Sequence, residues 1–299
     1  MAFSANTVGT TTWRNKYLTN IIQETLKNAT VLEKICSVDR TDNKYIYNPY
    51  GSAPTVVVQT LQGTYAAAAY TITNDTLECT TEFIVSEQIY GFEDILSNFD
   101  LFVSRSKELA GAVAVKMDQW GLNFLLEDAT GSYSTPSGGF TTAANFNTIC
   151  ANLLTKWAGW ATGLGTPFLV LESGDLVGAS LAQGASGFSM ADMALRNGFL
   201  NNWMGINLYV VRTGTFANST QSVVGGGSSG TFSSTSYTNS GHRLAGIEGI
   251  STWAFPRGMR VDEKSVSGAT GKELVIWALS GLALWYAKAE LMIDITVTA

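Results

Sequence analysis

A run of thirty residues, Asn98 to Glu127, constrains this chain more than any other stretch: NFDLFVSRSKELAGAVAVKMDQWGLNFLLE. Phe102, Ser106, Leu109, Val113, Met117, Trp120 and Phe124 follow one another at steps of three or four, which places them on one stripe of an α-helix. Arg105, Lys107, Glu108 and Asp118 fall mostly off that stripe. Asn98 or Asp100 offers a side-chain acceptor for the unpaired N–H groups at the helix start. At 1.5 Å per residue such a helix is about 40 Å long. A domain of ordinary size rarely needs a rod of that length, so the pattern predicts a spine onto which other elements dock.

The segments on either side differ in character. Residues 1 to about 20 are rich in Ser, Thr and Asn and read as an extended or partly disordered arm. IIQETLKNATVLEKI (Ile21 to Ile35) carries an imperfect helical pattern and predicts a short helix. From Tyr45 to Ile89 the runs YIY, TVVVQTL, YTIT and CTTEFIV are β-branched or alternating, and the turn-prone segments NPYGSAP, LQGTYAAAA and TND separate them. This predicts a long hairpin arm with too few large apolar residues to bury both faces, so it should lie across something else.

Beyond the long helix, Thr130 to Thr142 reads as a Ser/Thr/Gly loop and Phe146 to Trp160 as a helix. Pro167 to Ser173 reads as a buried strand, Asp175 to Gln183 and Met190 to Arg196 as helices, and Ile206 to Arg212 as a strand after the turn NGF. LAGIEGISTWAF and KELVIWALSGLALWYAKAELMIDITV read as strands. The last of these sets Met292, Asp294, Thr296 and Thr298 against Ile293, Ile295 and Val297.

Between these regions lies TQSVVGGGSSGTFSSTSYTNSGHRL (Thr220 to Leu244), which matches two catalytic patterns at once. Gly225, Gly227 and Gly230 fit the dinucleotide-binding spacing, while Gly226, Ser228 and Gly230 fit that of a nucleophile elbow. Both patterns need a helix directly after the glycines, and TFSSTSYTNSG has no helical periodicity. The 29 residues from Thr213 to Gly241 hold no Asp, Glu, Lys or Arg. His242 is the only histidine and reads as the start of a strand, hydrogen-bonded to backbone or water. The carboxylate pairs Glu93/Asp94, Asp39/Asp42 and Asp262/Glu263 read as helix start, loop and loop, and Glu127/Asp128 as the end of the long helix. The expected catalytic, cofactor-binding and metal-binding residues are therefore none.

Charge points the same way. Charged residues make up 14% of the 299 residues and the net charge is −6, which argues against a dedicated binder of nucleic acid. No stretch is apolar enough to span a bilayer; the strongest candidate, WALSGLALWYA, is about half the length required. The opening MAFSANTVGTTTWRNKYL lacks the pattern of a signal peptide. Cys36, Cys79 and Cys150 are far apart and odd in number, which predicts free thiols in a reducing compartment. A chain with eight tryptophans and few charges must bury apolar surface somewhere, and contact with other copies is the expected place.

The order of parts resembles that of the major capsid proteins of tailed bacteriophages, the fold first seen in phage Hong Kong 97, over essentially the whole length. Three stretches carry the likeness. TTEFIVSEQIYGFEDI (Thr80 to Ile95) is similar to the strand and short helix ahead of the spine helix. MALRNGFLNNWMGINLYVV (Met193 to Val211) is similar to the helix, Asn-Gly turn and strand of the axial domain, and LSGLALWYAKAELMIDITV (Leu279 to Val297) to the closing strands of the peripheral domain.

The resemblance implies an α+β chain of the Hong Kong 97 type. Its parts would be an N-terminal arm (1–43), an extended β-hairpin loop (44–86), a peripheral domain (87–139) with the spine helix at 98–127, an axial domain (140–250), and peripheral return strands (251–299). It implies contacts between copies at Trp13, Tyr50, Gly51, Pro54, Gln62, Gly63, Tyr65 and Arg105. Partners would be the chain itself, in hexamers and pentamers of an icosahedral shell, together with separate scaffolding, portal and decoration proteins. The shell would enclose double-stranded DNA without sequence-specific binding, as part of a virion assembled in the host bacterial cytoplasm. About 40 residues precede the hairpin, with no built-in scaffold visible among them, so the expectation is a separate scaffolding protein or none. Lys44 is the sole lysine between Arg40 and Arg105 and sits at the hairpin base, so cross-linking through the loop is not expected. The alternative on the same fold is an encapsulin-like nanocompartment shell enclosing cargo enzymes.

Overall fold

A computed structural model of the chain describes residues 30–40, 43–51, 72–90, 101–158, 165–185, 202–216, 239–256, 258–265 and 271–298. The first elements are a short helix α1 (Leu32–Ile35) and a strand β1 (Ser37–Asp39). A ribbon of β2 (Tyr45–Gly51) and β3 (Ile72–Glu78) follows, then β4 (Thr81–Tyr90) and the long helix α2 (Leu101–Asp128). After β5 (Gly131–Ser134) come α3 (Ala143–Trp157), β6 (Pro167–Glu172), α4 (Leu176–Ala185), β7 (Asn202–Trp203) and β8 (Ile206–Val211). The chain closes with β9 (His242–Ile247), β10 (Ser251–Ala254), β11 (Arg260–Ser265), β12 (Gly271–Leu284), a 3₁₀ turn (Tyr286–Leu291) and β13 (Ile293–Thr296).

Two sheets flank the long helix. In the first, the 14-residue β12 pairs with β4 along one edge and with β11 and then β10 along the other, and β1 adds to β10 in parallel. In the second, the order is β5-β13-β9-β6-β8-β7. The long helix packs on β4 and β12 of the first sheet and on β9 and β13 of the second, so both share one core. Ser106, Val113, Met117 and Trp120 of the expected stripe are buried, and Leu109 and Phe124 are partly so. Trp120 meets Phe83 of β4 edge-on, with centroids 5.6 Å apart.

The buried arc of the helix is wider than the stripe predicted. Ala110, Ala114, Leu122 and Leu125 are also fully buried, because a second flank of the rod faces α1 and the second sheet. Small residues there allow close approach; a methyl at Gly121 would overlap the side chain of Leu32. Asp118, expected off the stripe, is buried as well.

Several local expectations change. NPYG (48–51) is strand rather than turn: Pro49 stands opposite Asn74, and a two-stranded ribbon has only outer edges, where proline is tolerated. Residues 131–134 form β5 rather than loop, held by parallel pairing with β13. Asp262 and Glu263 lie on β11, not in a loop. The helix expected from Phe146 begins at Ala143, where the Thr142 side chain accepts from the Asn145 amide. The closing strands do not stay together either. The 3₁₀ turn carries the chain from the first sheet to the second, where β13 joins β9 and β5. The helix expected at Met190 to Arg196 and the tip of the hairpin arm lie outside the described residues, as does most of the predicted N-terminal helix.

Met117 has no exposure and Val115 is 49% exposed on the same helix. Met117→Ala should therefore lower the unfolding free energy by about 3 kcal/mol, through lost transfer energy and a cavity. Val115→Ala should change it by no more than about 0.5 kcal/mol in the same urea titration.

Candidate assembly surfaces

The ribbon's pairing puts Tyr45 opposite Glu78, Tyr47 opposite Thr76, Pro49 opposite Asn74 and Gly51 opposite Ile72. These pairs share one face, since side chains alternate along a strand. On it Tyr45 is 43% exposed, Tyr47 64% and Ile72 62%. The opposite face turns inward at the base, where Leu77 and Cys79 pack with Ala254 and Trp285, and Ile46 leans on them. The Cys79 amide donates to Lys44 O at 3.0 Å, and the Lys44 ammonium pairs with Glu78 at 2.9 Å and lies over the Tyr45 ring. The ribbon is thus fixed at its root and leaves Tyr45, Tyr47 and Ile72 bare on one face.

Of the contact residues expected from sequence, Tyr50 and Gly51 are placed in β2, opposite Thr73 and Ile72. Trp13, Pro54, Gln62, Gly63 and Tyr65 lie outside the described residues. Arg105 is engaged within the chain: its guanidinium meets Glu87 of β4 at 3.1 Å and Glu108 one turn along at 2.6 Å. It fastens the start of the long helix to the first sheet. Sequence reasoning missed Tyr45, Tyr47 and Ile72, although the alternation in YIY and YTIT carried the signal.

Two buried polar side chains of the long helix hold other parts of the chain. The Asp118 carboxylate accepts from the Val31 amide at 2.8 and 3.0 Å and from the Leu32 amide at 3.1 Å, so it caps α1 from another helix. Burial pushes its carboxyl up to about 7, against the opposing pull of those two amides and of Lys34. One and a half turns on, the Asn123 amide donates to Gln119 O at 2.6 Å and Thr215 O at 2.9 Å, and its oxygen accepts from Asn239 at 3.0 Å. Thr215 and Asn239 stand on either side of the Gly/Ser-rich stretch, so one side chain holds both of its roots.

A second clamp lies beside them. Glu172 accepts from the Gly214 and Phe216 amides, each at 3.1 Å, and its other oxygen meets Arg243 at 3.1 Å. Arg243 also pairs with Asp175 and donates to His242 O at 2.7 Å. Every ion of this buried trio has a partner.

His242 starts β9 as expected, and its Nδ1 pairs with the Asp294 carboxylate at 2.8 Å, because β13 runs alongside. Ser228 lies outside the described residues. All three cysteines are free and buried, and burial pushes Cys36 and Cys150 up to about 12 and Cys79 to about 11, far from a reactive thiolate. Among the described residues no group of three or more His, Cys, Asp or Glu could hold a metal, and no helix is long and apolar enough to cross a membrane.

No family model and no curated protein matches the sequence. Solved structures match the fold. The chain is similar to the capsid of Cyanophage P-SCSP1u, with a TM-score of 0.68 at 10% identity over 90% of this chain and 88% of that one. Against the capsid of the native GTA particle the TM-score is 0.63 at 14% identity, covering 93% and 91%. Against a virus-like particle from Pyrococcus furiosus it is 0.59 at 9%, covering 94% and 98%. The class is thus that of capsid folds, mixed in helix and sheet and built on one long helix. Within it, the chain has the Hong Kong 97-type fold of phage capsid proteins.

The raised carboxyl of Asp118 gives a signed pH dependence. Below an ordinary carboxylate value of 3.8, folded and unfolded chains both hold the proton; between there and about 7 only the folded chain does. Asp118 therefore subtracts stability progressively as pH rises through that window. Between about pH 5 and pH 8 the wild type should lose about 3 kcal/mol relative to Asp118→Asn, which keeps an acceptor oxygen for the two amides but does not titrate. Urea unfolding of both proteins at the two pH values checks this.

Proposed function

We propose that this chain is the major capsid protein of a tailed bacteriophage, a structural protein that assembles into the hexamers and pentamers of an icosahedral shell around double-stranded DNA. One observation carries the reading beyond the fold. The β2–β3 ribbon is anchored at its base yet presents Tyr45, Tyr47 and Ile72 to water. A two-stranded ribbon is marginal by itself, so bare apolar side chains on one make physical sense when another subunit covers them. Residues 44–86 would then be the loop that reaches a neighbour. The first sheet with the long helix would form the body of the peripheral domain, and the second sheet with α3 and α4 the axial domain.

The remaining chemistry supports a shell and not a catalyst. The net charge of −6 suits an inner wall that must not hold packaged DNA tightly. Standard interfaces cover roughly 800 Å² per partner, and many modest contacts close a shell without any single tight one. Scaffolding, portal and decoration proteins would be separate chains, and the virion its final location. The likeness to the virus-like particle favours one second reading, an encapsulin-like shell around cargo enzymes. Nuclease-protected DNA in purified particles supports the first reading, and a co-purifying enzyme supports the second.

Deleting residues 51–64 should leave a soluble subunit with the same unfolding midpoint, because the buried base at Leu77, Cys79, Ala254 and Trp285 stays intact. It should abolish closed particles under negative-stain electron microscopy. Normal shells from the deletion would count heavily against the proposal.

A further inference from the structure

The two strands of the β7–β8 hairpin are joined by Met204 and Gly205, with φ of 53° and 84°. Two successive positive φ values are what the tightest hairpin turn demands, and Gly or Asn normally supplies them. Met204 is the only residue other than glycine with positive φ among the described residues. A Cβ makes that conformation unfavourable, and a flexible thioether brings no local hydrogen bond to offset it. Met204 is also 48% exposed, so an apolar side chain stands in water at the same strained position. Asn or Gly would remove both disadvantages at once.

The turn is rigidly mounted. Trp203 is buried and its indole N–H donates to Asn147 of α3 at 3.0 Å. Asn202 donates across the hairpin to Asn207 at 2.9 Å, and Asn207 donates to Glu248 at 2.8 Å. Strain, exposure and stiffness together describe a half-exposed side chain that is held out at a conformational cost to the isolated subunit. Strained residues persist where the strained geometry serves a function.

We infer that Met204 is a contact between copies of this chain, inserting into apolar surface of a neighbouring subunit. The inference rests on the shell-forming reading above and names a residue that carries it. A preorganised turn loses little freedom on docking. The thioether fills pockets of imperfect shape, which suits a chain that meets its neighbours at more than one angle, as in rings of five and six.

The test uses the full chain with Met204→Asn and Met204→Leu. The Asn variant relieves the strain, so the unassembled subunit should melt about 2–4 °C higher. It also loses the buried apolar contact, so the concentration at which shells form should rise about tenfold at fixed salt, read by light scattering and negative-stain imaging. The Leu variant keeps the apolar bulk and should assemble within about threefold of wild type. Wild type and Asn variant forming shells at the same concentration would overturn the contact alone, as would an Asn variant that melts no higher. A wild-type chain that remains monomeric at high concentration would sink the shell reading and this contact with it.

Discussion

A rod buried on two flanks can carry polar side chains inside only where some other group of the chain supplies their partners. The long helix has this constraint at Asp118 and Asn123, both almost without exposure. Asp118 needs amide donors and takes them from Val31 and Leu32, 87 and 86 residues earlier in the chain. Asn123 needs both an acceptor and a donor and takes them from Thr215 and Asn239. An apolar helix could slide or rotate against its neighbours at little cost. Unpaired, each of these polar groups would lose roughly 1–3 kcal/mol, so the register of the helix is fixed relative to α1 and to the roots of the Gly/Ser-rich stretch.

This accounts for what could and could not be read in the sequence. The helix was legible because its periodicity is local: seven positions at steps of three or four define a stripe without knowledge of any partner. The burial of Asp118 was not legible, since nothing near residue 118 signals donors that arrive from residues 31 and 32. The hairpin was legible in its alternation, and its Pro and Gly were misleading. NPYG reads as a turn unless the strand is known to have only outer edges. β5 was illegible for the same reason as Asp118: the tetrapeptide GSYS becomes strand through its partner β13, more than 150 residues away. As for the contact residues, Arg105 was expected to meet another copy, and only the fold reveals that it also pairs with Glu87 and Glu108 of its own chain.

The scarcity of charge also finds a structural cause. Several of the ionic side chains are spent on internal fastening: Arg243 with Glu172 and Asp175, Lys44 with Glu78, Arg105 with Glu87. Among the described residues, isolated apolar side chains such as Tyr47, Ile84, Val177 and Met204 stand exposed. Single exposed apolar residues are ordinary. Their placement here is less so, because Tyr47 and Ile72 share a bare ribbon face and Met204 crowns a strained turn.

Likeness to capsid structures across 90% of the chain at 10% identity means that the fold is set by pattern and not by particular residues. That follows from the physics of the spine: any apolar stripe of the right period and volume can fill the space between two sheets. The polar attachments are another matter. A carboxylate can cap α1 only if backbone amides reach it, and Asn123 can join two loop roots only if both lie at its distance. Such groups add little to the choice of fold and much to how firmly the arm and the Gly/Ser-rich stretch are held to this body. The parts of this chain that its sequence specifies most narrowly are therefore the fastenings between its segments. If copies of the chain close into a shell, as proposed, those fastenings decide which surfaces stay fixed while they do so.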